Sequence, residues 1–265
     1  MESGREQIWN VQVNTAGLAA ILDDIDDGVG HGEKGKTLFC ANPHSLVVAD
    51  NDTQFLGALH EADILIPDGA GIVLASRMLG GAIARRITGS DAMTGVGERW
   101  NKVAGRSFFF LGSSPAVLEK MKVRMAADFP YVAVAGIYAP PFAAEFSESE
   151  NERMIDAVNL ASPTALWVGM TAPKQEKWVQ RNRRRLNVPL IGAVGAAFDY
   201  FAGSKQRASA AMQGVGMEWL PRLIREPRRM WRRNLISSPA FLYHILLQMV
   251  GASPDGSSGG VSREH

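Results

Sequence analysis

The chain has 265 residues, 46% of them hydrophobic and 21% charged, which is the balance of a soluble globular protein with room for one sizeable core. A net charge of +1 excludes a whole-molecule field for nucleic acid or membrane, so any basic surface must be local. The single cysteine, Cys40, excludes an intrachain disulfide and argues against a cysteine-based metal site, as suits a reducing cytoplasm.

The first thirty residues carry Asp23, Asp24, Asp26 and Asp27 and no long apolar stretch, so they do not read as a signal peptide. No run reaches the roughly 18 apolar residues of a spanning helix. From there, short β-rich runs alternate with helical patterns. "TLFCAN" (37–42) reads as a strand and "SLVVADNDTQFLGALHEA" (45–62) as one helix. "DILIPD" (63–68) is a strand, and "GIVLASRMLGG" after it a helix. "SFFFLG" (107–112) leads into "SPAVLEKMKVRMAADF", and "YVAVAGIY" (131–138) into "SESENERMIDAVNLA". "TALWVGM" (164–170) leads into "PKQEKWVQRNRRRL", and "PLIGAV" (189–194) closes the series. The strand runs are continuously apolar, as strands covered on both faces are. The expected architecture is therefore a doubly wound, mostly parallel α/β sheet with helices on both faces, over residues 1–205.

Beyond residue 200 the character changes. "MEWLPRLIREPRRMWRRNL" (217–235) holds six arginines against two glutamates, and Arg222, Arg225, Arg229 and Arg232 recur at helical steps, with a kink or restart expected at Pro227. "PAFLYHILLQMV" (239–250) is too short to span a bilayer and could lie in its surface. Residues 206–250 thus read as a basic and apolar helical appendage, and 251–265 as a disordered tail. A solvated helix face would account for the arginines alone. The interleaved aromatics fit a lipid interface better than a base-stacking groove, which argues against nucleic acid. Arginine forks also grip phosphate, so a lipid diphosphate satisfies both halves of the composition.

Ligands of wound sheets bind at the carboxyl ends of the strands. Asn42, Asp68, Gly112, Tyr138 and the segment after Met170 fall there. Asp68 precedes glycine in a common turn pair, so a turn role competes with a chemical one. Tyr138 reads first as rim packing. "GAGIVL" (69–74) is a poor dinucleotide fingerprint: Leu74 stands at the third glycine position, and the acid about twenty residues on, Asp91, does not end a strand. The five histidines are scattered without metal spacing, and no Asp-x-Asp pair offers a home for a divalent ion. "GMTAPKQEKW" (169–178) marks a strand giving way to a helix, whose free N–H groups could receive phosphate.

The blocks "ANPHSLVVA", "ADILIPDGAGIVLASRMLG", "RRITGSD", "GMTAPKQEKW", "GAVGAAFDYFAG" and "MEWLPRLIREPRRMWRR" follow in order from about Thr37 to Arg233. In this the sequence resembles the WecG/TagA/CpsF glycosyltransferases (glycosyltransferase family 26). The resemblance implies an inverting, metal-independent hexosyltransferase without cofactor. It would move a sugar from a UDP-sugar to a polyprenyl-diphosphate-linked saccharide in bacterial exopolysaccharide, teichoic acid or capsule synthesis. It also implies a cytoplasmic enzyme peripheral on the inner face of the membrane, on an anionic surface. By the same resemblance Asp68 is the catalytic base, Asn42 an active-site amide, Arg86 an arginine near the donor phosphate and Gln175 a donor-pocket residue. Asp199 would lie beside the nucleoside, and Arg222, Arg229 and Arg232 against the lipid diphosphate. Asp91, Gly112 and Tyr138 complete the expected substrate contacts. The sequence departs from the family at Cys40, where relatives commonly carry threonine, and a thiol is the poorer hydrogen-bonding group. A nucleotide-binding α/β protein of NAD(P) type is the competing reading, and a basic membrane adaptor a third. The donor sugar is not legible, and the sequence is compatible with a homo-oligomer.

Overall fold

The computed structural model describes residues 4–204 and 236–251. The arginines at 222, 229 and 232 and the tail from 252 lie outside the described residues.

An antiparallel hairpin of β1 (Arg5–Ile8) and β2 (Val11–Asn14) opens the chain, followed by α1 (Leu18–Gly30). Next come β3 (Lys36–Ala41), α2 (Pro43–Asp50), α3 (Thr53–His60), β4 (Ile64–Pro67), α4 (Ala70–Met78) and α5 (Gly89–Trp100). The second half runs β5 (Ser107–Gly112), α6 (Pro115–Asp128), β6 (Ala133–Tyr138), α7 (Glu148–Ala161), β7 (Ala165–Gly169), α8 (Lys174–Asn182), β8 (Leu190–Ala193) and α9 (Ala197–Phe201). A C-terminal helix, α10 (Ser238–Met249), ends the described chain.

Six strands form one parallel sheet in the order β4-β3-β8-β7-β5-β6. The expected doubly wound α/β fold is therefore the observed one. Strands β4, β7 and β8 are buried along their whole length, which is why their sequences are unbroken apolar runs. The edge strand β6 is exposed or half-exposed at every residue. One face of the sheet is covered by α1, α5, α6 and α9 through Ile25, Trp100, Met121 and Phe198. The other is covered by α2, α3, α7, α8 and α10 through Leu46, Phe55, Met154, Val179 and Ile245.

Three features differ from the sequence reading. The helix expected over 45–62 is two, because Asp52 caps a new one by accepting from the Phe55 N–H at 3.0 Å. The N-terminal hairpin has no counterpart in the expected elements. It shields the edge strand β4, where Asn14 Oδ1 accepts from the Leu65 N–H at 2.7 Å. Nor has α5, whose glycines weaken the helical pattern. They serve close packing instead: a Cβ on Gly97 would lie 2.9 Å from the Phe129 ring, and one on Gly95 2.9 Å from Leu22.

Helix α10 divides its apolar residues between two environments. Phe241 and Ile245 join the core over α2 and α4, and His244 stacks on Trp9 at 4.0 Å between ring centroids. Leu242, Tyr243, Leu246, Met249 and Val250 are exposed along the other side. No helix of the described residues is long and apolar enough to cross a membrane.

Candidate active site

Parallel strands deliver their next residues to one edge, and register decides which of them meet. Cys40 lies opposite Ile66 and Ala41 opposite Pro67, so Asn42 and Asp68 emerge side by side. The Asp68 N–H donates to the Ala41 carbonyl at 2.7 Å, extending the ladder by one bond and fixing where the carboxylate leaves the sheet. Gly69 then turns with φ +101°, a backbone state that favours glycine, and α4 begins. The chain thus bends at Asp68-Gly69, and a half-buried acid stands on the rim.

Asn42 is the N-cap of α2. Its Oδ1 accepts from the Ser45 N–H at 3.0 Å, while the Ser45 hydroxyl meets the Asn42 backbone at 2.8 Å. With the carbonyl oxygen committed to the cap, the group Asn42 can offer a substrate is its NH2. Arg86, half-buried, is drawn to the same place because the Ile87 N–H donates to the Pro67 carbonyl at 2.8 Å. Two residues on, Thr88 and Asp91 form the capping box of α5: Asp91 Oδ2 accepts from the Thr88 N–H at 3.0 Å. Asp91 therefore has a structural task at the helix start.

Cys40 lies beneath this edge, its sulfur 3.8 Å from the Ala193 carbonyl oxygen and close to the backbone of Gly89. Burial pushes its thiol well above the usual range. The charges of Asp68 and Glu176, and more weakly Asp91, push the same way against the Gly89 N–H. Cys40 is thus a neutral thiol, unsuited to act as a nucleophile.

From β5 the chain moves outward to β6, whereas from β7 it moves toward β8. The order in which strands are added reverses between β5 and β7, the place where wound sheets open a crevice. Gly112 and Gly169 face one another there, and a Cβ on Gly112, at φ +114°, would fall 2.8 Å from the Gly169 carbonyl. A Cβ on Gly169 would in turn collide with the Phe198 ring at 2.2 Å. Asp199 follows Phe198 on α9, directly after β8, and is half-buried. Tyr138, by contrast, donates to Glu150 Oε1 at 2.9 Å, and Glu150 is paired with Arg153. Its phenol is raised by burial and by that carboxylate. The rim-packing reading of Tyr138 agrees with this arrangement.

Gln175, near the N-terminus of α8, is buried beside the glycine turn after β8: the position of a Cβ on Gly195 is 3.5 Å from its amide. Its neighbour Glu176 is absent from the residues singled out in the sequence, where an acid in "PKQEKW" looks like an ordinary first-turn residue. It is 2% exposed and accepts from Gln175 Nε2 at 2.8 Å. Burial raises its carboxyl to about 7, against the lowering effect of Gln175 and its own backbone N–H. Among the described residues no three His, Cys, Asp or Glu side chains gather as metal ligands would.

The rim thus brings Cys40, Asn42, Asp68, Arg86 and Gln175 to one end of the sheet. Two named proteins are similar to this chain in sequence. A protein named N-acetylglucosaminyldiphosphoundecaprenol N-acetyl-beta-D-mannosaminyltransferase from Bacillus spizizenii is 28% identical over 213 residues, covering 80% of this chain and 79% of its own. A protein of the same name from Staphylococcus aureus strain MW2 is 28% identical over 208 residues, 77% of each chain. Residues 6–254, which take in the hairpin except Arg5, every strand of the sheet and α10, match the profile of the "Glycosyl transferase WecG/TagA/CpsF family", and the chain belongs to that family.

Proposed function

We propose that the protein is an inverting hexosyltransferase that moves a sugar from a UDP-sugar to a polyprenyl-diphosphate-linked saccharide, in the assembly of a bacterial surface polysaccharide. The observation that carries this reading is the pairing of Asp68 with Asn42 at the ends of β4 and β3, with Arg86 tied beside them through Ile87. The relatives' names give a lipid diphosphate carrying N-acetylglucosamine as what those proteins act on. The same acceptor class is our reading for this chain.

In a single displacement, an acceptor hydroxyl attacks the anomeric carbon while the Asp68 carboxylate takes its proton. The bond from that carbon to the diphosphate breaks on the opposite face, so configuration inverts and UDP departs. Arg86 balances charge on the leaving diphosphate, and the Asn42 NH2 orients a hydroxyl or phosphate oxygen. Gln175, Cys40 and Asp199 shape the donor side near the Gly112–Gly169 crevice. Arg222, Arg229 and Arg232 grip the lipid diphosphate and an anionic membrane surface, with the exposed side of α10 continuing that contact. No step in this scheme requires a metal ion.

The test is a donor screen with a synthetic prenyl-diphosphate saccharide, scored by product mass, with and without EDTA. General-base assistance contributes about 10²–10⁴-fold, so Asp68→Asn should fold normally and lose at least about 10² in turnover. A variant rate near wild type removes Asp68 from the role, and loss of transfer in EDTA removes metal independence. Stabilisation by UDP and not by NAD(P) in a thermal-shift panel separates this reading from a dinucleotide enzyme.

A further inference from the structure

Gln175 and Glu176 form a buried polar pair with an imbalance of hydrogen-bonding groups. Gln175 Nε2 donates to Glu176 Oε1 at 2.8 Å. That leaves Gln175 Oε1 and Glu176 Oε2, both buried oxygens, without a hydrogen-bond partner. The residues are 3% and 2% exposed, so water does not readily make up the difference. With Glu176 ionised, both orphan atoms are acceptors. One proton on the carboxyl converts one of them into a donor.

The charged groups around the pair do not call for an anion. Cys40 on β3 is a neutral thiol that feels Glu176 together with Asp68 beyond β4 and Asp91 on α5, all acids. On α8 itself, Lys174 turns to the Ala143 carbonyl and the Phe146 ring, and Lys177 pairs with Asp52 of the neighbouring α3. Neither lysine is directed at Glu176.

We propose that Glu176 is a positioning residue of the active site: as a neutral carboxylic acid it holds the Gln175 amide by its N–H, so that Gln175 Oε1 is presented to receive a hydroxyl or N–H of the bound sugar nucleotide. The role rests on the donor-pocket reading of Gln175 given above. The raised carboxyl, about 7, means the neutral form predominates up to neutral pH. Above it, the carboxylate places a negative charge beside the site of a departing diphosphate. No covalent change occurs at Glu176, which acts only through Gln175.

The experiment compares wild type, E176Q and E176L from about pH 5.5 to about 9. Glutamine keeps one acceptor and one donor and cannot ionise, whereas leucine keeps only the shape. At about pH 6.5, E176L should lose about tenfold or more in kcat/KM, and E176Q should restore it to within about threefold of wild type. Wild type should decline as pH rises through about 7, and E176Q should lack that limb. An E176Q defect as deep as that of E176L at every pH overturns the proposal, because it means the ionised carboxylate is needed. So does an alkaline limb shared by wild type and E176Q. Infrared spectra supply a readout independent of turnover. A protonated-carboxyl band present at about pH 6 and absent in E176Q supports the neutral acid, and no such band refutes it. If that band is present but no UDP-sugar is turned over by wild type, the transferase reading fails and the neutral pair stands.

Discussion

Replacing Glu176 by glutamine should make the protein more stable at alkaline pH, and the size of the effect follows from how far its carboxyl is raised. The carboxyl ionises at about 7 in the folded chain against 4.5 for an ordinary glutamate. A tenfold change in acidity corresponds to about 1.36 kcal/mol, so the difference amounts to about 3 kcal/mol. Its sign is set by which state holds the proton. Between about 4.5 and 7 the unfolded chain has released it while the folded chain retains it, so wild-type stability falls as pH rises. Below that window both states are protonated and no penalty arises; above it the full penalty applies. Glutamine carries none of this dependence, and all other carboxylates cancel in the comparison. The stability of E176Q minus that of wild type should therefore climb by about 3 kcal/mol between about pH 4 and pH 8, a difference of several degrees in melting temperature. Denaturant titrations of both proteins across that range measure it. Parallel stability curves would show that the carboxyl is not held in a low-dielectric site, and the account of the Gln175–Glu176 pair would fail with them.

Further outcomes follow from other contacts. Asn42→Ser keeps a good N-cap for α2 but lacks the amide, so stability should stay within about 1 kcal/mol while kcat/KM falls about tenfold or more; equal activity would leave Asn42 as a cap alone. Gly169→Ala would drive a methyl into the Phe198 ring, where a Cβ would stand at 2.2 Å, and should destabilise by about 1–3 kcal/mol in thermal denaturation. An unchanged melting temperature would mean that the close approach of β7 to α9 relaxes freely. Changing Arg222, Arg229 and Arg232 to glutamine together should weaken binding to anionic vesicles by about 3 kcal/mol, roughly a hundredfold in partitioning; unaltered co-sedimentation would remove the arginines from membrane contact. Point substitution is the sound design here, since truncation before α10 would strip Phe241 and Ile245 from the core.

Much of the fold is legible because continuous apolar runs report strands covered on both sides. "SFFFLG" is β5 residue for residue, and the boundaries of β3, β4, β7 and β8 differ from the expected ones by one position. The short polar break at Asn51-Asp52 does not announce a helix boundary, because hydrophobic periodicity persists across it, while the decisive event is one side chain capping a new helix. The hairpin is hidden from a local reading because its burial comes from covering another strand's edge, a partner some fifty residues away in sequence.

At the site, the sequence by itself marked an acid and an amide at the ends of strands, with glycines beside them, while the arginine and the glutamine were singled out by the resemblance to the family. Local rules suffice for that, since a strand that ends in Asp-Gly must turn and expose its carboxylate at the rim. Only the tertiary structure decided which of these groups meet and in what electrical state. Register set Asn42 beside Asp68, the cap on α2 consumed one end of the Asn42 amide, and Glu150 took up Tyr138. The distinction is sharpest at Glu176, whose neighbours in sequence are polar and charged. Its raised carboxyl comes from burial, and desolvation is a property of surroundings that the folded chain assembles, not of the residues adjacent in sequence.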